Sequence, residues 1–212
     1  MTGPEPVPRH DAVLLTGGTA RRMGGVDKPG LVVGGRPMAL RVAEAVSGAA
    51  RLVVVGPGYR GLHADVVTRE EPAGSGPVAA VAAGLAHVTA PLVALLAADL
   101  PFVTSAEVRM LVGAVVGHDA AVLVDDTGAD QYLVAVWSTP ALRTALAGLG
   151  EPAGVSMRRL LAAAGSVERC RATASGGAPP WFDCDTPDDL RRARRLDIRR
   201  RSTASRPGPG RM

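Results

Sequence analysis

Short apolar runs and segments with apolar residues at helical spacing alternate along this chain. AVLL (12–15), RLVVVG (51–56), ADVVT (64–68), PLVALLAA (91–98), DAAVLV (119–124) and YLVAVW (132–137) are rich in β-branched residues, and several are apolar throughout. That is the pattern of strands covered on both faces. Between them MALRVAEAVSG (38–48), PVAAVAAGLAHV (77–88), SAEVRMLVGAVV (105–116), PALRTALAGL (140–149) and SMRRLLAAAG (156–165) repeat their apolar residues with helical period. Thr104 and Glu107 have capping-box spacing before one helix. Thr186, Pro187 and Asp189 open a last helix in the same way, with proline at the favoured first position. Strand and helix in alternation predict a three-layer α/β/α domain around a mostly parallel sheet, spanning residues 11–195 without a repeat or linker.

Composition narrows the class. With 212 residues and 47% hydrophobic content the chain can bury a full core, and it has no apolar stretch of the roughly 18 residues a membrane span needs. The opening MTGPEPVPRHD lacks the basic-then-apolar order of a secretory signal, so residues 1–10 read as a flexible N-terminus and the expected location is cytoplasmic. Cys170 and Cys184 then read as reduced packing residues, with neither a disulfide nor a metal pair expected.

The net charge of +4 suggests nucleic acid until it is located. From Arg191 onward nine arginines face one acid, giving +8 and leaving −4 for residues 1–190. Residues 196–212 therefore read as a solvated, disordered basic tail on a mildly acidic body. With only 3% aromatic residues to stack on bases, no nucleic-acid partner is expected. His10, His63, His87 and His118 fall at element ends or surface-like positions, and none is assigned a chemical role.

In sheets of this kind ligands bind beyond the carboxyl ends of the strands, so the loops there carry the candidate chemistry. The first, TGGTARRMGGVDK (16–28), follows a strand with four glycines and three cations. Its spacing is neither GxGxxG nor GxxxxGK[ST], yet glycine backbone beside cations suits a phosphate chain. Lys28 is the single lysine beside 23 arginines. A compact, movable ammonium serves a phosphate whose charge shifts during reaction, whereas arginine's rigid fork favours fixed contacts. The second loop, LLAADLP, places Asp99 after an apolar strand, where a hard divalent cation is one economical partner for the carboxylate. The third, WFDCDTPDDL, sets Asp183 and Asp185 two apart on one face of an extended segment. By spacing alone these read equally as metal ligands or as turn residues before the last helix.

LLTGGTARRMGGVDKPGL resembles the opening motif LAGGxSxRMGxDKxxL of the molybdenum cofactor guanylyltransferases. EEPAGSGPVAAVAAGL (70–85), AADLP (97–101) and DCDTPDDL (183–190) continue the resemblance, which covers residues 11–195. It implies a Rossmann-like nucleotidyltransferase fold that transfers GMP from GTP to the phosphate of molybdopterin, with Mg²⁺ as cofactor. Nucleotide-binding positions then fall on Leu15, Thr16, Gly17, Gly18, Lys28, Glu70 and Asp99. The catalytic positions are Arg22, Lys28 and Asp99, and the metal ligands Asp99 and Asp185. Glu70, with Glu71 adjacent, matches the acid that reads the guanine edge, since a carboxylate accepts from a donor pair that cytosine and uracil lack. Partner proteins implied are molybdoenzymes or proteins of the cofactor pathway.

The sequence also departs from that pattern. Thr16 stands where the family has alanine, and Ala129 and Asp130 stand where it has arginine and proline, in the stretch expected to face the pterin. The alternatives are a cytidylyl- or guanylyltransferase for another small phosphorylated acceptor, or a nucleotide-binding module without transferase activity.

Overall fold

The apolar runs become β1 (His10–Leu15), β4 (Leu52–Val55), β5 (Val66–Thr68), β6 (Leu92–Ala97), β7 (Ala120–Val124) and β8 (Asp130–Ser138) in the computed structural model. It describes residues 7–17, 30–172 and 177–204. The periodic segments become α1 (Met38–Ala45), α2 (Pro77–Leu85), α3 (Ser105–Ala114), α4 (Thr139–Leu149) and α5 (Met157–Ala162), followed by α6 (Pro187–Ala204). Three short strands have no counterpart in the hydrophobic pattern: β2 (Val32–Val33), β3 (Arg36–Pro37) and β9 (Val167–Arg171).

Seven strands form one sheet in the order β5-β4-β1-β6-β8-β7-β9, and β2 pairs with β3 as a separate hairpin. Of the seven, β8 alone runs against its neighbours, pairing antiparallel with β6 and β7, while the β1, β4, β5 and β9 pairings are parallel. The sheet is therefore mixed and mostly parallel. Alternation along its strands feeds two layers. Ala12, Leu14, Val54 and Leu96 face α1 and α3, and Val13, Leu15, Val53 and Leu95 face α2, α4 and α5. This is the three-layer arrangement that alternating strands and helices predict.

Both expected capping boxes are formed. The Thr104 hydroxyl accepts from the Ala106 N–H while Glu107 accepts from the Thr104 N–H at 2.8 Å. Thr186 and Asp189 exchange the corresponding bonds at the start of α6. The hydrophobic pattern hides β9 because VERCR is an edge strand paired to β7 alone, with mostly polar positions.

Two expectations need correction. Residues 196–204, read as solvated tail, continue α6, and Asp197 within them is only 3% exposed. The inward stripe is Leu190, Ala193, Leu196 and Asp197; its last position is an acid, so hydropathy hides it, and its neutralising partners are Arg41 of α1 and Arg201 one turn on in α6. Residues 1–6 and 205–212 lie outside the described residues. His10, expected at a solvated position, is buried as the first residue of the central strand, with Nδ1 3.2 Å from the Pro8 carbonyl. Both cysteines are reduced thiols, and burial pushes the Cys170 thiol above its ordinary range. Among the described residues no helix is long and apolar enough to cross a membrane.

Candidate nucleotide site

β1, β4 and β6 end level with one another, because Leu15 is in register with Val55 on one side and with Ala97 on the other. Their exits are tied together. The N–H groups of Thr16 and Gly17 donate to the Val55 carbonyl at 2.9 and 3.3 Å, and the Ala98 N–H donates to the Leu15 carbonyl at 2.9 Å. The Thr16 hydroxyl lies 2.8 Å from the Pro57 carbonyl and 3.2 Å from that of Val55. Gly56 makes this approach possible. Its φ is +116°, and a Cβ there would fall 2.5 Å from the Gly17 nitrogen, closer than any side chain can come.

These contacts bear on the glycine loop. Leu15 and Thr16 are buried, and the amides of Thr16 and Gly17 are already committed to β4, so these two N–H groups are occupied within the protein. Gly17 is exposed. Gly18, Arg22 and Lys28 lie outside the described residues. The loop's two anchors are visible: it leaves at Gly17 beside β4, and it returns at Leu31, whose carbonyl accepts from the Met38 N–H at 3.0 Å.

Asp99 follows β6 and is half-buried. Its carbonyl accepts from the Cys184 N–H at 3.2 Å, which brings the late aspartate segment to the end of the central strands. Cys184 is fully buried while Asp183 is exposed and Asp185 half-buried, the alternation expected of an extended segment with its apolar residue turned inward. Beneath them Phe102 and Phe182 meet edge to face at 5.9 Å between ring centres. They belong to a small core with Val33, Met38, Cys184 and Leu190. Three segments far apart in sequence thus share one apolar floor: the return of the glycine loop, the Asp99 loop and the late aspartates. No motif marks these two phenylalanines, although they are the only two in the chain and sit three residues after Asp99 and one before Asp183.

Glu70 and Glu71 lie beyond β5, on the far side of β4. Glu70 Oε1 accepts from the Gly74 N–H at 2.9 Å, so one carboxylate oxygen shapes its own turn. Residues 69–73 line an open recess of about 600 Å³.

Because β8 is antiparallel, its first residues lie at the same edge as the carboxyl ends of the other strands. Here Asp125 Oδ1 accepts from the Thr127 hydroxyl at 2.6 Å and from the N–H groups of Thr127 and Ala129 at 2.9 Å each, while Oδ2 accepts from Gln131 Nε2 at 3.1 Å. The Thr127 hydroxyl, followed by these amides, holds the Asp125 carboxyl below its ordinary value. Arg169 from β9 grips Asp130 through Nε at 2.8 Å and Nη2 at 3.1 Å. Between Val122 and Leu123 the β8 partner jumps from Ala135 to Gln131, a bulge beside the candidate site that redirects the residues between.

Among the described residues no three His, Cys, Asp or Glu side chains come together as a self-contained metal cage. Asp99 and Asp185 are two carboxylates carried on neighbouring segments, outside any such cage. A hard cation such as Mg²⁺ takes one or two protein carboxylates and draws its remaining ligands from phosphate and water.

Comparison with known proteins agrees with this layout. The model of the MobA-like NTP transferase domain matches residues 12–170. A probable molybdenum cofactor guanylyltransferase of Natronomonas pharaonis is 30% identical over 194 residues, covering 86% of this chain and 95% of the relative. Among solved structures, a molybdopterin-guanine dinucleotide biosynthesis protein A from Archaeoglobus fulgidus superposes with a TM-score of 0.66 at 23% identity, covering 88% of this chain and 97% of its own. The 2-C-methyl-D-erythritol 4-phosphate cytidylyltransferase of Thermus thermophilus gives 0.67 at 23%, covering 88% and 98%. The glycine loop's anchors, the level strand exits and the two aspartate segments thus lie on a shared nucleotidyltransferase fold, and the chain belongs to the MobA-like NTP transferase family.

Proposed function

We propose that this nucleotidyltransferase transfers GMP from GTP to the terminal phosphate of molybdopterin and releases pyrophosphate. The observation that carries the reading is the bond between the Cys184 N–H and the Asp99 carbonyl, which sets the two aspartate segments side by side at the mouth of the glycine loop. Enzymes of this family typically depend on a divalent metal, and Asp99 and Asp185 are the residues that would hold it. Bound there, Mg²⁺ supplies positive charge for the α-phosphate and the departing pyrophosphate.

The rest is done by the chain itself. An acceptor phosphate oxygen attacks the α-phosphorus of GTP in line; the new P–O bond forms as the bond from the α-phosphorus to the bridging oxygen breaks, and pyrophosphate carries the electron pair away. Lys28 and Arg22 neutralise charge on the transferring and leaving oxygens. The nucleophile is ionised at neutral pH, so no general base is required. Glu70 selects guanine by accepting from its ring N–H and amino group, and Gly17 and Gly18 serve as nucleotide-binding glycines. The Asp130–Arg169 pair and Gln131 border the acceptor.

A cytidylyl transfer is the second reading, favoured by the equally good superposition on a cytidylyltransferase. The test incubates the protein with Mg²⁺, molybdopterin and each of the four nucleoside triphosphates, measuring pyrophosphate and the dinucleotide product. GTP as the preferred donor is the expected result. Preference for CTP establishes the second reading, and nucleotide binding with no pyrophosphate from any donor reduces the protein to a binding module.

A further inference from the structure

Arg41 stands on α1, outside every motif, and each nitrogen of its guanidinium reaches a different segment. Nε donates to the Pro101 carbonyl at 2.8 Å, Nη1 to the Val33 carbonyl at 2.9 Å, and Nη2 to Asp197 Oδ1 at 2.9 Å. Pro101 is two residues past Asp99, Val33 is five past Lys28, and Asp197 belongs to the helix that starts two past Asp185. The guanidinium also lies 5.9 Å from the centre of the Phe102 ring.

Asp197 completes the arrangement. Its Oδ2 accepts from Arg201 Nε at 2.7 Å, and Arg201 also donates to the Gly34 carbonyl. Arg194 Nε donates to the Val32 carbonyl at 3.0 Å. Gly34, with φ +60°, would place a Cβ 2.1 Å from Asp197 Oδ2, so the backbone of the β2–β3 hairpin lies directly against the Asp197 and Arg201 side chains of α6, with no room for a side chain of its own. The hairpin that follows the glycine loop is thereby fastened to the helix that follows Asp185, and Arg41 fastens both to the Asp99 loop.

A buried ion pair is a poor way to gain stability, since apolar residues of equal volume often hold a fold as well. What a guanidinium adds is direction. Its planar fork fixes three acceptors at set angles, which neither an apolar contact nor a lysine can do. We propose that Arg41 and Asp197 are a positioning pair that aligns the exit of the glycine loop, the Asp99 loop and the Asp185 helix for transfer. This rests on the nucleotidyl-transfer reading above. Misplacement of reacting groups by about 1 Å costs on the order of a hundredfold in rate, so the pair acts on turnover and metal use without touching substrate.

The experiment compares Arg41→Lys and Asp197→Asn with Thr139→Val, a control that loses the bond from a buried hydroxyl to the Ala90 carbonyl at the opposite edge of the sheet. Melting temperature, kcat, the Mg²⁺ concentration for half-maximal rate, and amide hydrogen exchange in residues 31–37 and 99–104 are measured for each. The expected result is that both brace variants remain folded, lose about tenfold or more in kcat and need severalfold more Mg²⁺. Exchange in both segments accelerates, including the 99–104 segment in Asp197→Asn, whose own substitution lies on another helix. Thr139→Val lowers the melting temperature alone. Unchanged kcat and Mg²⁺ dependence in the brace variants overturn the proposal even if exchange accelerates, because the pair is then structural only. Should wild-type protein release no pyrophosphate with any donor, the transfer reading falls and exchange decides the coupling. Acceleration at 99–104 in Asp197→Asn upholds it, and unchanged exchange removes it.

Discussion

The N–H of Cys184 donates to the carbonyl of Asp99 across 3.2 Å, joining two aspartate segments that lie 85 positions apart in the chain. A buried thiol side chain and a main-chain bond fix the meeting. Asp99→Asn keeps the shape of the loop and removes the charge. Transfer should fall by at least about a hundredfold, the scale of losing one main electrostatic element, with the melting temperature nearly unchanged. Asp185→Asn should act in the same direction. Normal turnover in Asp99→Asn would move the metal to other carboxylates, with Asp183 next to test.

Lys28→Ala should lower kcat more than it weakens GTP binding, because an ammonium that meets charge developing on pyrophosphate stabilises the transition state beyond the ground state. Steady-state kinetics beside a direct binding isotherm separate the two. A loss confined to affinity would make Lys28 a ground-state phosphate contact only.

Thr16→Val tests the knot at the strand exits. The hydroxyl holds the Pro57 carbonyl, and its removal should cost about 1 kcal/mol, lowering the melting temperature by about 3 °C in a domain of this size. An unchanged melting temperature would show that the β4 exit is held by the backbone bonds and Gly56 alone.

Asp125 gives a pH dependence with a definite sign. Its folded-state pKa is depressed below the ordinary 3.8, chiefly by the Thr127 hydroxyl, so its contribution is fully present above that value and is lost as pH falls through the folded-state pKa. Asp125→Asn should therefore be less stable than wild type at neutral pH, with the difference closing in acid. Denaturant unfolding at pH 7 and pH 3 checks this, and a gap that stays constant would refute the assignment.

Hydrophobic periodicity alone determined six strands, five of the helices and the three-layer class, because strands buried on both faces and amphipathic helices write their periods directly into the chain, while a capping pair marked the start of the sixth helix. The motifs likewise placed Asp99 and Asp185 on loops at the carboxyl edge. Only the tertiary structure decided the reversed direction of β8, since an apolar run carries no sign of which way it points. The same holds for β9, an edge strand whose polar residues break the pattern, and for residues 196–204, where the inward position of α6 is the acid Asp197. Arg41 was invisible for the same reason: its three acceptors are carbonyls and a carboxylate contributed by residues 33, 101 and 197, and backbone acceptors have no side-chain identity to read. Periodicity reports burial against a neighbour of any kind, whereas a polar brace depends on which particular groups the fold brings together.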